Sequence, residues 1–285
     1  MFVTVNGVRL FFDVDGAKLL PDGPRMRERP TLLLLHGGPG GDHATFKPRF
    51  SHLSDIAQLV YLDHRGNGRS ERGDPTDWTL AQWGDDVRAF CDALGIEKSI
   101  VLGYSFGGMV AQSYATRHPE HPGKLILFST SPKVDRDENL AVFDRLGGPE
   151  ARAVAAAWFD DRNRETSAAY RAICFPLYNR PGTHDPDAAT RTLRNEDVSF
   201  RFGAPDGEAL RLDFRDALAH VQCPTLVMAG EDDPITPISR SELIARCLPP
   251  HLVRFERFAN AGHGVHIDDP ERAFAVLRDF ILSEA

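Results

Sequence analysis

The side chain with the clearest potential for chemistry is Ser105, which lies in the run GYSFG at residues 103–107. This run matches the G-x-S-x-G pattern, and it stands between an apolar run at 99–102 and a helix-like stretch at 106–118. A serine on a sharp strand-to-helix turn needs an unusual backbone conformation, which small flanking residues permit. The pattern therefore predicts that Ser105 is a nucleophile. The alternative is an ordinary serine at the start of a helix.

A serine nucleophile needs a base to take its proton and an acid to orient that base. Two acidic residues, Asp232 and Asp233, follow the apolar run at 224–230, and His263 follows a later alternation of apolar and polar residues. The glycines on either side of His263 indicate a tight, exposed turn. His263 is therefore the predicted base, and His266, three residues later, is the alternative.

The order of these residues is a serine, then an aspartate, then a histidine, each just past a predicted strand. This is the order of α/β-hydrolases, not of chymotrypsin or subtilisin. The chain resembles α/β-hydrolases, and within them the proline iminopeptidase-like group. The closer resemblance rests on HGGPGG at residues 36–41 and on DHRGNGRS at 63–70, which look like that group's HGGPGG and D-x-R-G-x-G-x-S segments. It covers both ends of the chain and is much weaker between about residues 131 and 222. It implies that Asp233, directly before Pro234, is the acid of a catalytic triad.

Serine hydrolysis also needs two backbone N–H groups aimed at the developing oxyanion. The first is predicted to be that of Phe106, the residue after the nucleophile. The resemblance implies that the second belongs to Gly38, with Gly37 as the alternative, whereas Pro39 has no N–H to donate. The same glycine turn lacks the Lys-Ser/Thr ending of a phosphate-binding loop, so no nucleotide site is predicted.

A sheet must position these residues, and the chain alternates predicted strands with predicted helices. Short apolar runs such as residues 31–35 are typical of strands buried on both faces of a parallel sheet. The helix predicted over 79–94 has a capping box formed by Thr79 and Gln82, and Gly95 fits its C-terminal cap. We therefore expect an α/β-hydrolase fold with a mostly parallel central sheet flanked by helices. The other predicted elements are a hairpin at 2–14, strands at 59–62 and 124–129, and a last helix that begins at Pro270.

Residues 131–222 break this alternation and are predicted to form a helical cap over the active site, inserted between two core strands. Residues 1–130 and 223–285 are then the core domain. Within the cap, helices are predicted over 151–159, 165–175 and 187–195, and a loop is predicted over 179–186.

Aromatic side chains of the cap could line an apolar substrate pocket or pack the cap itself. Specificity is expected to reside in this cap, because the core supplies only the reaction. The candidates for substrate contact are Trp158, Phe175 and Tyr178 in the cap, together with Gly37 and Tyr104 beside the nucleophile.

The resemblance adds an expectation about charge. Proline iminopeptidases are expected to hold the free amine of their substrate with acidic cap residues. Glu196 is the first candidate for that role and Asp197 is the second. The alternative for both is a solvated acid at the end of a helix.

Composition narrows the possible partners. The chain has 285 residues, of which 42% are hydrophobic, and its net charge of −8 makes nucleic acid a poor partner. It has no apolar run long enough to cross a membrane, no visible secretory signal and no zinc-ligand spacing. Four scattered cysteines favour reduced thiols, so a cytoplasmic protein is expected. No metal or other cofactor is expected, because serine chemistry of this kind needs none.

The predicted function is that of a serine hydrolase acting through an acyl-enzyme on a small molecule or short peptide. The resemblance favours release of an N-terminal residue, as by a proline iminopeptidase. The alternative is a carboxylesterase or lactonase acting on a small ester or lactone, and an alternative of another class is a non-catalytic receptor on a hydrolase fold. A serine rather than an aspartate at position 105 argues against dehalogenase or epoxide hydrolase chemistry.

Overall fold

The computed structural model describes residues 1–182 and 187–284. Their strands are β1 (Phe2–Val5), β2 (Val8–Asp15), β3 (Leu19–Asp22), β4 (Arg25–Glu28), β5 (Thr31–Leu35), β6 (Gln58–Leu62), β7 (Ile100–Tyr104), β8 (Lys124–Phe128), β9 (Thr225–Gly230) and β10 (Val253–Phe258). Their helices are α1 (Leu80–Leu94), α2 (Phe106–Arg117), α3 (Arg136–Asp160), α4 (Arg164–Ile173), α5 (Ala188–Arg191), α6 (Glu196–Gly203), α7 (Glu208–Arg211), α8 (Ile238–Cys247), α9 (Val265–Asp268) and α10 (Pro270–Leu282). None of the helices so described has both the length and the apolar character needed to cross a membrane.

Eight strands form one sheet in the order β1-β2-β6-β5-β7-β8-β9-β10. The pairs β1–β2 and β2–β6 are antiparallel, and every later neighbouring pair is parallel. This confirms the predicted mostly parallel sheet. In a parallel sheet the carboxyl ends of the strands meet at one edge, so the loops after β5, β7, β9 and β10 open on the same side of the molecule.

The central strands are buried on both faces, as their unbroken apolar runs predict. Every residue of β5 is buried, and its side chains alternate between two hydrophobic clusters. Leu33 and Leu35 join the cluster that contains side chains of α1 and α2, whereas Leu32 and Leu34 join the one that contains side chains of α10. Helices therefore cover both faces of the sheet.

Helix α1 shows why part of a local prediction was wrong. Thr79 Oγ1 accepts a hydrogen bond from the Gln82 N–H at 3.1 Å, and Gly95 ends the helix with a φ of 63°. The reciprocal half of the predicted capping box is absent between these two residues. The Thr79 N–H already donates to Asp77 O at 2.8 Å, and the Gln82 side chain donates to Asp86 instead.

The region between β8 and β9 is helical in its described residues and contains no strand there. Helix α3 begins at Arg136, well before the predicted 151, and is interrupted at Gly148, which has a φ of 71°. The helix predicted over 165–175 corresponds to α4 and a following 3-10 turn. The helix α6 was not predicted. The boundaries 131–222 for the cap stay a prediction.

The helix predicted over 187–195 is wrong beyond its first turn, because α5 ends at Arg191. Two N–H groups that would continue the helix donate to the core instead. The Leu193 N–H lies 3.0 Å from Asp42 Oδ2, and the Asn195 N–H lies 2.9 Å from Gly40 O. Half of the loop predicted over 179–186, namely residues 183–186, lies outside the described residues.

Candidate active site

Ser105 forms the turn between β7 and α2, where the backbone adopts an uncommon conformation. Its φ is 55° and its ψ is −118°, a combination that costs energy for a residue other than glycine. The Ser105 N–H donates to Phe128 O at 2.9 Å, and Thr130 Oγ1 donates to Ser105 O at 2.7 Å. These bonds hold the serine in place at the end of a buried strand while its residue stays partly exposed. The geometry is typical of a nucleophile elbow.

Glycines are required around this turn because the chain passes very close to its own backbone. A Cβ at Gly107 would lie 2.0 Å from Leu35 O, and a Cβ at Gly103 would lie 2.3 Å from Gly107 O. Neither position can accept a side chain unless β5 or α2 moves. The G-x-S-x-G spacing is therefore a packing requirement of the elbow.

Asp233 and His263 lie side by side beyond the ends of β9 and β10. Nδ1 of His263 is 2.7 Å from Oδ2 of Asp233, and both residues are buried. The carboxylate also accepts from the N–H groups of Ile235 and Thr236, at 2.9 Å each, and from the Thr236 hydroxyl at 2.6 Å. Since an ionised carboxylate only accepts, this contact assigns the proton to Nδ1 and leaves Nε2 as the basic atom.

Asp232 and His266, the alternatives for the acid and the base, lie in different surroundings. Asp232 is partly exposed and pairs with Arg145 of α3 at 2.7 Å. His266 is buried among aromatic rings, and its Nδ1 has no hydrogen-bond partner in the described chain. Burial lowers the pKa of His266 to about 3, so its imidazole is neutral near pH 7. Of these four candidates, the pair in contact is Asp233 and His263, and their catalytic roles stay a prediction.

Two tyrosines flank the His263 ring, one from β7 and one from the helical segment between β8 and β9 (the cap region, residues 129–224). The ring centroids of Tyr104 and Tyr178 lie 5.0 Å and 5.3 Å from that of His263. The His263 N–H also donates to Tyr178 O at 2.6 Å, and a Cβ at Gly262 would lie 2.0 Å from that oxygen. Because Tyr104 directly precedes Ser105 in the chain, the histidine ring lies beside the elbow.

The glycine turn after β5 borders the serine. A Cβ at Gly37 would lie 3.2 Å from Ser105 Cβ. Within the described chain, the N–H groups of Gly38 and Phe106 donate to no acceptor. Phe106 is the first residue of α2, where N–H groups have no partner in the helix, and Gly38 has a φ of 134° that glycine adopts without strain. Two such free donors near a nucleophile are what an oxyanion hole requires.

His36 fixes the start of this glycine turn. Its Nδ1 donates to Gly37 O at 2.8 Å, and its Nε2 accepts from the His64 N–H at 3.2 Å. Burial lowers the pKa of His36, because desolvation penalises the charged ring. A neutral imidazole can both donate and accept, which is the role that the two contacts demand.

Two asparagines that the sequence reasoning missed hold the same turn from the other side. The Gly40 N–H donates to Asn67 Oδ1 at 2.6 Å, and Gly40 O accepts from the Asn195 N–H at 2.9 Å. Asn195 Nδ2 donates to Gly66 O at 2.8 Å, so this buried side chain joins the cap region to two core loops. Asn67 lies within the 63–70 segment that resembles proline iminopeptidases, a signal that could have found it. No local signal marks Asn195.

Asp42, His43 and Asp63 form a buried group with the spacing of metal ligands. Asp63 Oδ1 accepts from both the Nδ1 and the N–H of His43, at 2.7 Å and 3.0 Å. Asp42 accepts from the N–H groups of Ala44 and Leu193, at 3.0 Å each. Because these oxygens already have protein donors, the group is explained as a hydrogen-bond network that supports the loops around the site.

The three aromatic residues of the cap region that are predicted to contact substrate lie at different distances from the His263 ring and differ in exposure. Tyr178 lies against the histidine ring, as described above. Trp158 stacks on Tyr170 with ring centroids 4.2 Å apart, inside the hydrophobic cluster of the cap region. Phe175 is 44% exposed and lies 4.8 Å from the Tyr178 ring.

Glu196 and Asp197 lie in the first turn of α6, and each faces an arginine. Glu196 Oε1 is 2.8 Å from Arg171, and Asp197 Oδ2 is 3.8 Å from Arg72. An acid in the first turn is also stabilised by the helix dipole. Both positions are therefore explained without a substrate, and the contact of Glu196 with a substrate amine stays a prediction.

Comparison with known proteins identifies the family of the chain. The profile of the α/β hydrolase fold family matches residues 30–270. The chain is 29% identical to RutD of Caulobacter sp. (strain K31) over 95% of this chain and 98% of that protein. RutD is provisionally named a carbamate hydrolase. It is 27% identical to the proline iminopeptidase PfmaB of Pestalotiopsis fici, with 98% of each chain covered. A solved esterase from Thermogutta terrifontis is 26% identical, with a TM-score of 0.72 over 98% of this chain and 96% of that one. The chain therefore belongs to the α/β-hydrolase family, within which it is similar to proline iminopeptidases.

Proposed function

We propose that the chain is a serine hydrolase that cleaves a small amide or ester through an acyl-enzyme. The observation that carries the proposal is the 2.7 Å contact of His263 with Asp233, next to the elbow that presents Ser105. A hydrogen-bonded carboxylate–imidazole pair beside a partly exposed serine is the arrangement that activates a hydroxyl. Membership of a hydrolase family supports the same reaction class.

In the proposed reaction, Ser105 Oγ attacks the substrate carbonyl while Nε2 of His263 takes its proton. The N–H groups of Gly38 and Phe106 stabilise the negative oxygen of the tetrahedral intermediate. The proton on Nε2 then passes to the leaving group, which departs and leaves an acyl-serine. His263 next deprotonates a water that attacks this ester, and it returns that proton to Ser105 Oγ as the acid product leaves. Asp233 keeps Nδ1–H oriented and stabilises the imidazolium.

The first candidate activity is release of an N-terminal residue from a small peptide or arylamide. It is supported by the glycine turn at 36–41, by the segment at 63–70 and by the similarity to proline iminopeptidases. The free amine of such a substrate needs an acidic partner, because a desolvated charge without one is costly. Glu196 would supply it by exchanging its present partner, Arg171, for the substrate.

The second candidate activity is hydrolysis of a small ester or lactone. The observation that favours it is the existing ion pair between Glu196 and Arg171, which a substrate amine would have to break. A neutral ester makes no such demand. The similarity to a solved esterase supports this candidate as well.

A substrate panel separates the candidates. It contains a prolyl arylamide, its N-acetylated form, short p-nitrophenyl esters and a small lactone. For an aminopeptidase, the acetylated amide is a poor substrate, and Glu196→Gln raises KM for the free-amine amide by about tenfold or more while the ester changes little. Glu150→Gln, at an exposed position on α3, is the matched control and should alter neither substrate.

Other results lead to other conclusions. Efficient turnover of esters or lactones with no turnover of any free-amine amide identifies an esterase that shares only the core with proline iminopeptidases. Absence of turnover together with absence of labelling by a fluorophosphonate contradicts the serine hydrolase proposal and leaves the receptor.

A further inference from the structure

Arg162 is a cation in the cap region that has no carboxylate partner among the described residues. It lies in the short connection between α3 and α4, and its guanidinium carbon is 3.9 Å from the centroid of the Trp158 ring. Its Nε is buried and has no hydrogen-bond partner among residues 1–182 and 187–284. Arg162 as a whole is half-buried, and an arginine that is partly withdrawn from water usually has an acidic partner, because a desolvated charge is costly.

The fold makes room for this side chain at Gly203, the last residue of α6. A Cβ at Gly203 would lie 2.2 Å from Cδ and 2.3 Å from Nε of Arg162. The guanidinium therefore occupies a slot between an indole ring and the backbone of α6. Burial lowers the pKa of Arg162 to about 10, which leaves it charged at neutral pH.

One path of contacts leads from this slot to the base. Trp158, below the guanidinium, stacks on Tyr170. The Tyr170 and Tyr178 hydroxyls are 2.8 Å apart, and the Tyr178 ring lies 5.3 Å from that of His263.

A second path leads to the nucleophile. Phe202, the neighbour of Gly203, packs against Phe106 with ring centroids 5.4 Å apart. Phe106 directly follows Ser105. The slot is thus bounded by two parts of the cap region that each touch the proposed site, one at the base and one beside the oxyanion donor.

We propose that Arg162 binds a carboxylate of the substrate, so that the preferred amide or ester carries an acidic group. This inference rests on the proposed function, since the reacting carbonyl must reach Ser105 at the same time. A guanidinium presents a planar set of donors that matches the two oxygens of a carboxylate, and its two terminal Nη groups can bind both oxygens at once. The carboxylate can be the C-terminus of a short peptide or the free acid of a half-ester, since both offer the same group.

The test compares mono-p-nitrophenyl glutarate with p-nitrophenyl valerate, a neutral ester of similar length. Wild type is expected to prefer the acid, and Arg162→Met should lower the ratio of kcat/KM for acid over neutral ester by about tenfold to a hundredfold, mainly through KM. Arg162→Lys keeps the charge without the planar fork and should fall between the two. Arg152→Met, at an exposed position on α3, is the control and should not alter the ratio.

A prolyl dipeptide with a free or an amidated C-terminus identifies the source of the carboxylate. Loss of turnover on amidation points to a peptide, whereas a preference confined to the glutarate ester points to a half-ester. Either result supports the carboxylate site. Equal rates for acid and neutral forms of both substrates in wild type would overturn it.

Binding is measured separately from turnover in the Ser105→Ala protein, by calorimetry with monomethyl glutarate and dimethyl glutarate. The monoester is expected to bind more tightly, and the preference should shrink with Arg162→Met. Gly203→Ala should reduce the same preference for the monoester, because the added methyl group displaces the Arg162 guanidinium without removing it.

If the two esters bind alike with Arg162 in place, the carboxylate site is refuted even where the serine chemistry stands. If the preference holds but no variant turns over any ester, the proposed function fails and the carboxylate site remains.

Discussion

Asp232 and Asp233 are neighbours in the chain, yet their carboxylates make different contacts in the structure. Asp232 forms a partly exposed pair with Arg145, and such pairs contribute about 0–1 kcal/mol to stability. Asp233 is fully buried and accepts from the His263 ring as well as from the Thr236 hydroxyl and N–H. A carboxylate surrounded by donors cannot turn away from the imidazole, so it fixes which ring nitrogen carries the proton.

Replacing Asp233 with asparagine should impair catalysis far more than replacing Asp232. An amide can present its NH₂ group to Nδ1 and favour the wrong tautomer, so Asp233→Asn should lower kcat by about 10³–10⁴-fold. Asp232→Asn is the matched control and should stay within about threefold, since it removes only a surface pair. The measurement is kcat on the best substrate of the panel. Small and equal losses in both variants would mean that the acid comes from elsewhere.

At the scale of the elements, the cap region is joined to the core through backbone atoms of the glycine turn. Asn195 bonds to Gly40 through its N–H and to Gly66 through its side chain, and it does so just before α6 begins. A Cβ at Gly40 would lie 2.6 Å from Asn195 O, so these segments are in direct contact. The conformation of the turn that carries Gly38 therefore depends on a residue more than a hundred positions away in the chain.

Asn195→Ala should lower kcat more than its effect on folding explains. The change leaves the Gly66 carbonyl without its side-chain donor and should cost about 1–3 kcal/mol of stability. Because that side chain anchors the backbone whose N–H bonds to Gly40, the turn that carries Gly38, the proposed oxyanion donor, should loosen as well. Asn163→Ala is the control, because it removes the cap of α4 at a cost of about 1 kcal/mol but does not touch the turn. Both are compared by denaturant unfolding and by kcat. Equal kcat in the two variants would contradict a role for Asn195 in positioning the turn.

The elements that could be predicted from the sequence are those with local signals. The strand at 31–35 is an unbroken apolar run, and the elbow around Ser105 is marked by glycines that its own turn requires. Residues 187–195 carry a helix-like pattern, but Leu193 and Asn195 find acceptors in the core, which no local pattern contains. Arg162 was missed for the same reason, because its surroundings come from α3, α4 and α6 together.

For the whole molecule, the sheet topology explains how the site is assembled. Ser105, Asp233 and His263 follow β7, β9 and β10, whose parallel carboxyl ends meet at one edge. Around that edge the fold also buries neutral imidazoles. Burial lowers the pKa of His36, His64 and His266, in the last case to about 3.

Because the pKa of each of these histidines is lowered by burial, we expect the free energy of unfolding to fall in mild acid. In the unfolded chain His266 takes up a proton near its ordinary pKa of 6.5, whereas in the folded protein it does so near 3. The unfolded state therefore binds more protons between these values, and the free energy of unfolding falls as the pH drops from about 6.5 towards 3, by up to about 1.4 kcal/mol per pH unit for each such histidine. His266→Phe should make this decline shallower, whereas His251→Phe, at an exposed position, should not. Urea unfolding between pH 7 and pH 5 measures how steeply the free energy of unfolding falls with pH. An unchanged slope in His266→Phe would refute the attribution of this decline to His266.

Covalent labelling tests directly whether Ser105 is the nucleophile. The protein is treated with a fluorophosphonate probe, its intact mass is measured, and the adduct is located by peptide mapping. One adduct per chain is expected, on Ser105, with no labelling of Ser105→Ala. His263→Ala should react more slowly by about 10³-fold or more, because the hydroxyl loses its base, whereas His266→Phe should react at close to the wild-type rate. An adduct on another residue, or equal labelling of wild type and Ser105→Ala, would contradict the account.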